Sequence, residues 1–184
     1  SGRKLMIGHN LRFIEANEKI KEKLDRGIVG SLEVATLEEI VNGPFSHPFI
    51  PAPLAEWWIN PQKSGGGALM DIGYHLIDLF RFFVEEDAKV MFCSLSHKYS
   101  LPLEEGAIVI LSTVKSSIRG IINIGWYQRS VFPKYNFRVI LHGNAGFLST
   151  EDLVPRNIYA YAVKEGLKNF LRRITGKKLR PLSY

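Results

Sequence analysis

The chain has 184 residues, 46% of them hydrophobic and 23% charged, with a formal net charge of +6 at pH 7. That suits one domain with a substantial core and is short for two; no apolar run reaches the roughly 18 residues of a membrane span, and no signal peptide is expected. The single cysteine, Cys93, excludes an internal disulfide and a thiolate metal cluster, which fits a cytoplasmic protein.

Much of the positive excess lies in the tail KNFLRRITGKKLRPLSY (168–184), where cations beyond a last helix suit its dipole. Elsewhere the two signs are mixed, so no nucleic-acid partner is expected. The abrupt start, Ser1-Gly2-Arg3, reads as a cut boundary.

In chain order, KLMIGHNLRF (4–13) alternates Leu5, Ile7 and His9 and predicts a short strand leading to Arg12. Ala16, Ile20 and Leu24 then recur at helical spacing between Phe13 and Arg26, with Gly27 suited to stop the helix. SLEVATLEEI (31–40) reads as a second strand. Residues 42–63 carry prolines at 44, 48, 51, 53 and 61 among Phe45, Phe49, Trp57 and Trp58. That density excludes a regular helix or an interior strand and points to a long functional loop.

A helix is predicted over 69–84, then strands at 89–96, 106–114, 118–126, 136–142 and 147–149. Turns fall at Ser116-Ser117 and in HGNAG (142–146). Cys93, in an alternating strand, is expected to be a packed core thiol. A helix over 157–174, with Leu167, Phe170, Leu171 and Ile174 as its apolar stripe, closes the chain. Strands in series without intervening helices predict an α+β domain: an open, mostly antiparallel sheet of about six strands with helices packed on one face. Residues 1–184 are read as a single domain.

The chemistry gathers in SGGGALMDIGYHLIDLF (64–80). On the predicted helix Leu69, Ile72, Leu76, Leu79 or Phe80, and Phe83 form a core stripe. Asp71, His75 and Asp78 fall at i, i+4 and i+7 on a second face, too sparsely charged for ordinary solvated surface. Asp71, one turn before His75, is spaced to hydrogen-bond the imidazole and raise its pKa toward working pH, as a general acid–base needs. The same spacing also suits a purely structural pair. Gly65, Gly66 and Gly67 allow backbone or ligand to approach the helix start, where exposed N–H groups favour an anion or a polarised oxygen. No metal site is expected: His75 with Asp71 or Asp78 gives at most three ligands, and His9, His47, His97 and His142 are scattered. Trp58 and Tyr127 are candidate pocket walls for a sugar-like ring, with core packing as the alternative.

This glycine–Asp–His stretch resembles the signature of the C-terminal domain of the glucose–fructose oxidoreductase / inositol dehydrogenase / rhizopine-catabolism (Gfo/Idh/MocA) family. GHNLRF (8–13) resembles the strand that opens that domain, and DRGIVGSL (25–32) the link between its first helix and second strand. LHGNAGFLS (141–149) resembles the turn late in its sheet. The resemblance implies a sheet of the kind found in the C-terminal domain of glyceraldehyde-3-phosphate dehydrogenase. It implies an NAD- or NADP-dependent oxidoreductase moving a hydride between the cofactor and a secondary alcohol or carbonyl of a sugar, polyol or nucleotide-sugar.

By the same resemblance His75 is the acid–base and Asp71 its partner, also contacting substrate. Asp78 and the three glycines support them, and Arg12 lies near the substrate pocket or anchors the first strand. A homodimer or tetramer through the open sheet face is implied, with no membrane partner. The family's GxGxxG turn within a βαβ unit and its Glu-Lys-Pro segment do not occur in these residues, so no Rossmann domain is present. The fragment alone is therefore expected neither to hold NAD(P) tightly nor to turn over. The rival readings are a sugar-binding or assembly module of the same fold, and a hydrolase or lyase using the same pair.

Overall fold

A computed structural model describes residues 2–45, 56–127 and 136–153. The chain falls into two compact units, Ser1–Glu151 and Asp152–Tyr184. The elements below belong to the first; the predicted helix at 157–174 lies outside the described residues.

Six strands, β1 (Leu32–Ile40), β2 (Ala88–Ser96), β3 (Gly106–Thr113), β4 (Arg119–Gly125), β5 (Asn136–Gly143) and β6 (Gly146–Ser149), form one sheet in the order β2-β3-β4-β1-β5-β6. Every neighbouring pair is antiparallel except β1 and β4, which run parallel with Val34 opposite Arg119 and Ile40 opposite Gly125. The expected open, mostly antiparallel sheet is thus the observed one. Alternation builds it: Ala107, Val109 and Leu111 of β3, and Ile122 and Ile124 of β4, are all buried on one face.

That face is covered by the helix α3 (Tyr74–Val84). Its residues Leu76, Leu79, Phe80 and Phe83 are buried, each contributing about 1.5–3 kcal/mol by leaving water. The fit is close at Gly120, where an added Cβ would stand 2.9 Å from the Phe80 ring. On the opposite parity Phe92, Ile110, Ile121, Thr36 and Ile140 stand side by side across five strands.

The first helix, α1 (Glu15–Asp25), ends as its glycine predicts. Gly27 adopts φ +71°, its N–H donates to the Leu24 carbonyl at 2.9 Å, and the Ile28 N–H reaches back to Lys23 at 3.3 Å. The Gly27–Ser31 link then meets the β5–β6 turn. Ser31 N–H donates to Asn144 Oδ1 (3.1 Å), Asn144 N–H to the Ser31 carbonyl (3.1 Å), and Ala145 N–H to Val29 (2.9 Å). Two short sequence motifs, far apart in the chain, form one joint.

Three expectations are corrected. Residues 4–13 do not form a strand: Leu5, Met6 and Ile7 are exposed, and Asn10–Phe13 is a 3₁₀ turn. The segment has no partner strand among the described residues, and its N–H groups pair locally, His9 to Ile7 and Asn10 to Gly8. Cys93 is exposed rather than packed, because β2 is an edge strand exposed on both faces from Lys89 to Leu95. The proline-rich segment does hold a helical turn, α2 (Pro61–Ser64). Pro61 sits at the first helical position, which needs no N–H bond, and Asn60 caps it by accepting from the Gln62 N–H at 3.0 Å. Residues 46–55 of that segment lie outside the described residues.

Candidate functional site

The helix carrying the signature does not begin as an ordinary α-helix. Leu69–Gly73 is a π turn that runs directly into α3. Gly73 makes room for it, since a Cβ there would lie 2.6 Å from Leu69 Cδ1. A π turn holds one more residue than an α turn, so side chains on either side of it lose their α-helical alignment. Asp71 lies inside the turn and His75 after it, and the i, i+4 pairing expected between them is not made.

Asp71 instead accepts from Trp126 Nε1 at 3.0 Å. Burial pushes the Asp71 carboxyl above its usual range, and the Trp126 hydrogen bond opposes that shift. His75 is half-buried, its Nδ1 has no hydrogen-bond partner, and its ring lies 3.9 Å from that of Tyr74. Its pKa is lowered, chiefly by burial and then by nearby His9, while Asp78 pulls the other way. The expectation that a carboxylate partner raises it is corrected: burial shifts the imidazole down instead and so favours its neutral, proton-accepting form.

Asp78 is buried and taken by Arg12, whose Nε donates to Oδ2 at 2.7 Å and Nη2 to Oδ1 at 2.5 Å. His9 Nδ1 stands 3.5 Å from the same carboxylate. Arg12 also lies over the Phe82 ring, 5.5 Å from its centroid. Its guanidinium joins the 10–13 turn to α3.

A cleft of about 400 Å³ opens beside the π turn. Trp57 and Trp58 of the 3₁₀ turn Glu56–Ile59 line it, with Ser64, Gly66, Met70, Asp71 and Tyr74. The two indoles are stacked at 6.4 Å and 18°, and Trp58 meets Trp126 edge-on at 6.4 Å. Trp58 and Asp71 are thus brought together. His75 is adjacent through Tyr74 but is not part of the lining. Tyr127 is elsewhere: its ring packs over Gly106 and Gly125, where a Cβ would approach within 2.0 and 2.3 Å, and Lys98 Nζ lies 5.5 Å from its centre. Arg12 is not on the lining either.

Two N–H groups at the helix start are already taken. Gly67 and Leu69 both donate to Glu104 Oε1, at 2.9 and 3.1 Å. The expected anion site is filled by the protein's own carboxylate. Gly65 ends α2 at φ +78°, and Gly66 borders the cleft. Among the described residues no group of three or more His, Cys, Asp or Glu side chains is arranged to hold a metal ion, and no helix is long and apolar enough to cross a membrane.

The family model described as the GFO/IDH/MocA C-terminal domain matches residues 17–149. The chain belongs to the Gfo/Idh/MocA family.

No curated protein matches the sequence. Among solved structures, GenD2 from gentamicin A biosynthesis, in complex with NAD, is 17% identical with a TM-score of 0.64, over 77% of this chain and 38% of that one. Levoglucosan dehydrogenase in complex with NADH and L-sorbose is 18% identical with a TM-score of 0.66, over 78% and 39%. KijD10, a 3-ketoreductase from Actinomadura kijaniata in complex with NADP and TDP-benzene, is 20% identical with a TM-score of 0.57, over 72% and 36%. At these identities the likeness establishes the fold, and the chain spans about two fifths of the length of each.

Within this Gfo/Idh/MocA domain several neighbours of the site escaped the sequence reading. Trp57 carried a signal, as an aromatic beside Trp58 in a proline-rich loop. Trp126 and Glu104 carried none that is local, because each meets the signature helix only through the tertiary fold. The described residues do not fit a dinucleotide: the β1–β4 parallel pair is not a βαβ unit, and the N–H groups of Gly67 and Leu69 already hold Glu104.

Proposed function

We propose that this Gfo/Idh/MocA domain is the substrate-binding and oligomerisation part of an NAD(P)-dependent oxidoreductase acting on a secondary alcohol or carbonyl of a sugar, polyol or nucleotide-sugar. The observation that carries the reading is a half-buried imidazole, His75, whose Nδ1 has no hydrogen-bond partner, on the signature helix beside a cleft walled by indoles and a carboxylate. Indole faces suit the apolar faces of a sugar ring, and Asp71 accepts from its hydroxyls. His75 takes the hydroxyl proton during oxidation, or returns it during reduction. The nicotinamide cofactor is held by a dinucleotide-binding domain outside these residues.

The test is His75→Ala in the protein that joins this domain to its dinucleotide-binding partner. The expected result is a kcat lower by about 10²–10⁴ with cofactor affinity little changed. A variant that retains near-full rate overturns the role of His75. One observation favours a second reading, a sugar-binding module of the same fold: His75 is not part of the cleft lining. That module binds polyols through the cleft but gives no absorbance change at the nicotinamide band when polyol and NAD(P) are added together.

A further inference from the structure

We infer that Glu104 is a positioning residue for the cleft: by gripping the start of the signature helix it fixes Asp71 against Trp126. An ordinary helix cap comes from a side chain within the same turn. Here the cap arrives from the residue pair that precedes β3, 37 positions from Gly67 and 35 from Leu69. The Glu104 backbone carbonyl adds a third bond, accepting from the Ala68 N–H at 2.9 Å. Gly67 is what permits this grip, since a Cβ there would stand 2.0 Å from that carbonyl oxygen and 2.9 Å from the carboxylate.

The next residue holds the other half of the site. Glu105 is fully buried, and its carbonyl accepts from the Trp126 backbone N–H at 2.7 Å. Its carboxylate accepts from the N–H groups of Lys98 and Tyr99, at 2.6 and 2.7 Å, which ties the loop after β2 to the same point. Trp126 is fully buried and donates from its indole to Asp71, whose own N–H bonds to Gly67 at 2.9 Å. The donor and the acceptor of the Trp126–Asp71 hydrogen bond are therefore both anchored on two consecutive residues. A carboxylate on the N–H groups that open the π turn, favoured also by the helix dipole, sets the register of the helix start.

The inference rests on the reading of Asp71 as a group of the site, and its test reads geometry without turnover. The three tryptophans give three indole N–H signals in a ¹H–¹⁵N spectrum of the chain. Asp71→Asn identifies the signal bonded to Asp71. Glu104→Ala is expected to move that signal toward the positions of the other two, or to broaden it away. Glu104→Gln, whose amide oxygen can accept the same two N–H groups, keeps it in place. Ile20→Val, in the core, lowers the melting temperature and leaves the signal unmoved.

An indole signal that stays in place in folded Glu104→Ala overturns the inference, as does an equal movement in Ile20→Val. If Glu104→Ala does not fold, Glu104→Asp decides. One methylene shorter, it shifts the signal if Glu104 sets the register, and an unmoved signal overturns the proposal. Absence of any nicotinamide-dependent reaction leaves this outcome untouched, and an unmoved signal leaves the proposed reaction untouched.

Discussion

His75 and Asp71 respond to pH in opposite senses. Folding lowers the His75 pKa below its usual 6.5, through burial and His9 against the pull of Asp78. A group depressed in this way favours the folded state fully above pH 6.5, and that contribution is lost as pH falls through the lower folded value. Titration of His75 by NMR is expected to give a midpoint below 6.5, and His75→Gln is expected to flatten the stability loss in that window. Asp71 is shifted up from 3.8, chiefly by burial, so its charged form disfavours folding at neutral pH. Asp71→Asn keeps an oxygen for the Trp126 indole and removes the charge. It is expected to raise the melting temperature at pH 7, with the gain vanishing as pH falls below about 4, where the native carboxyl is itself protonated. Thermal melts across pH check the sign. The same variant is expected to lose turnover in the full-length protein, the familiar exchange of stability for function.

At the scale of the element, the signature helix keeps its two tasks on different stretches. The buried stripe of α3 holds it to the sheet: Leu76→Ala is expected to cost about 2–5 kcal/mol in denaturant unfolding. Met70, exposed in the π turn at the cleft, is expected to shift stability by no more than about 0.5 kcal/mol when changed to Ala, while weakening ligand binding. What the sequence disclosed follows the same division. β2 to β6 and the core stripe were legible because alternation and the 3.6-residue period are local signals, as was the stop at Gly27. The Asp71–His75 pairing was misread because ideal α spacing conceals a π turn, whose only trace is Gly73 facing Leu69. Cys93 was misplaced because alternation does not distinguish an edge strand from a central one. The Arg12–Asp78 and Trp126–Asp71 bonds join residues 66 and 55 positions apart, beyond the reach of any local pattern.

For the whole molecule, the sheet face opposite α3, which no described element covers, sets the next expectation. Phe92, Ile110, Ile121 and Ile140 share one row across it. A second row is polar: Asn123 Nδ2 donates to Glu38 at 2.7 Å, and Arg138 lies 3.7 Å from the same carboxylate. An apolar row beside a fixed polar one suits a self-complementary contact between two copies. Ile121→Glu is expected to convert a dimer or tetramer to monomer in sedimentation without unfolding it, because residue 121 points away from the core. An unchanged sedimentation coefficient overturns a contact through this face. The strand order also bears on how the chain reaches its native state. β1 is made early in the sequence, yet it lies between β4 and β5, which come more than 75 residues after it. β2-β3-β4 and β5-β6 can each close through nearby partners, whereas inserting β1 must close the longest loops and so comes late. Until that wedge is in place, β4 and β5 both show bare edges, ready templates for a neighbouring chain. The nascent protein is then most adhesive when most of its sheet is already built.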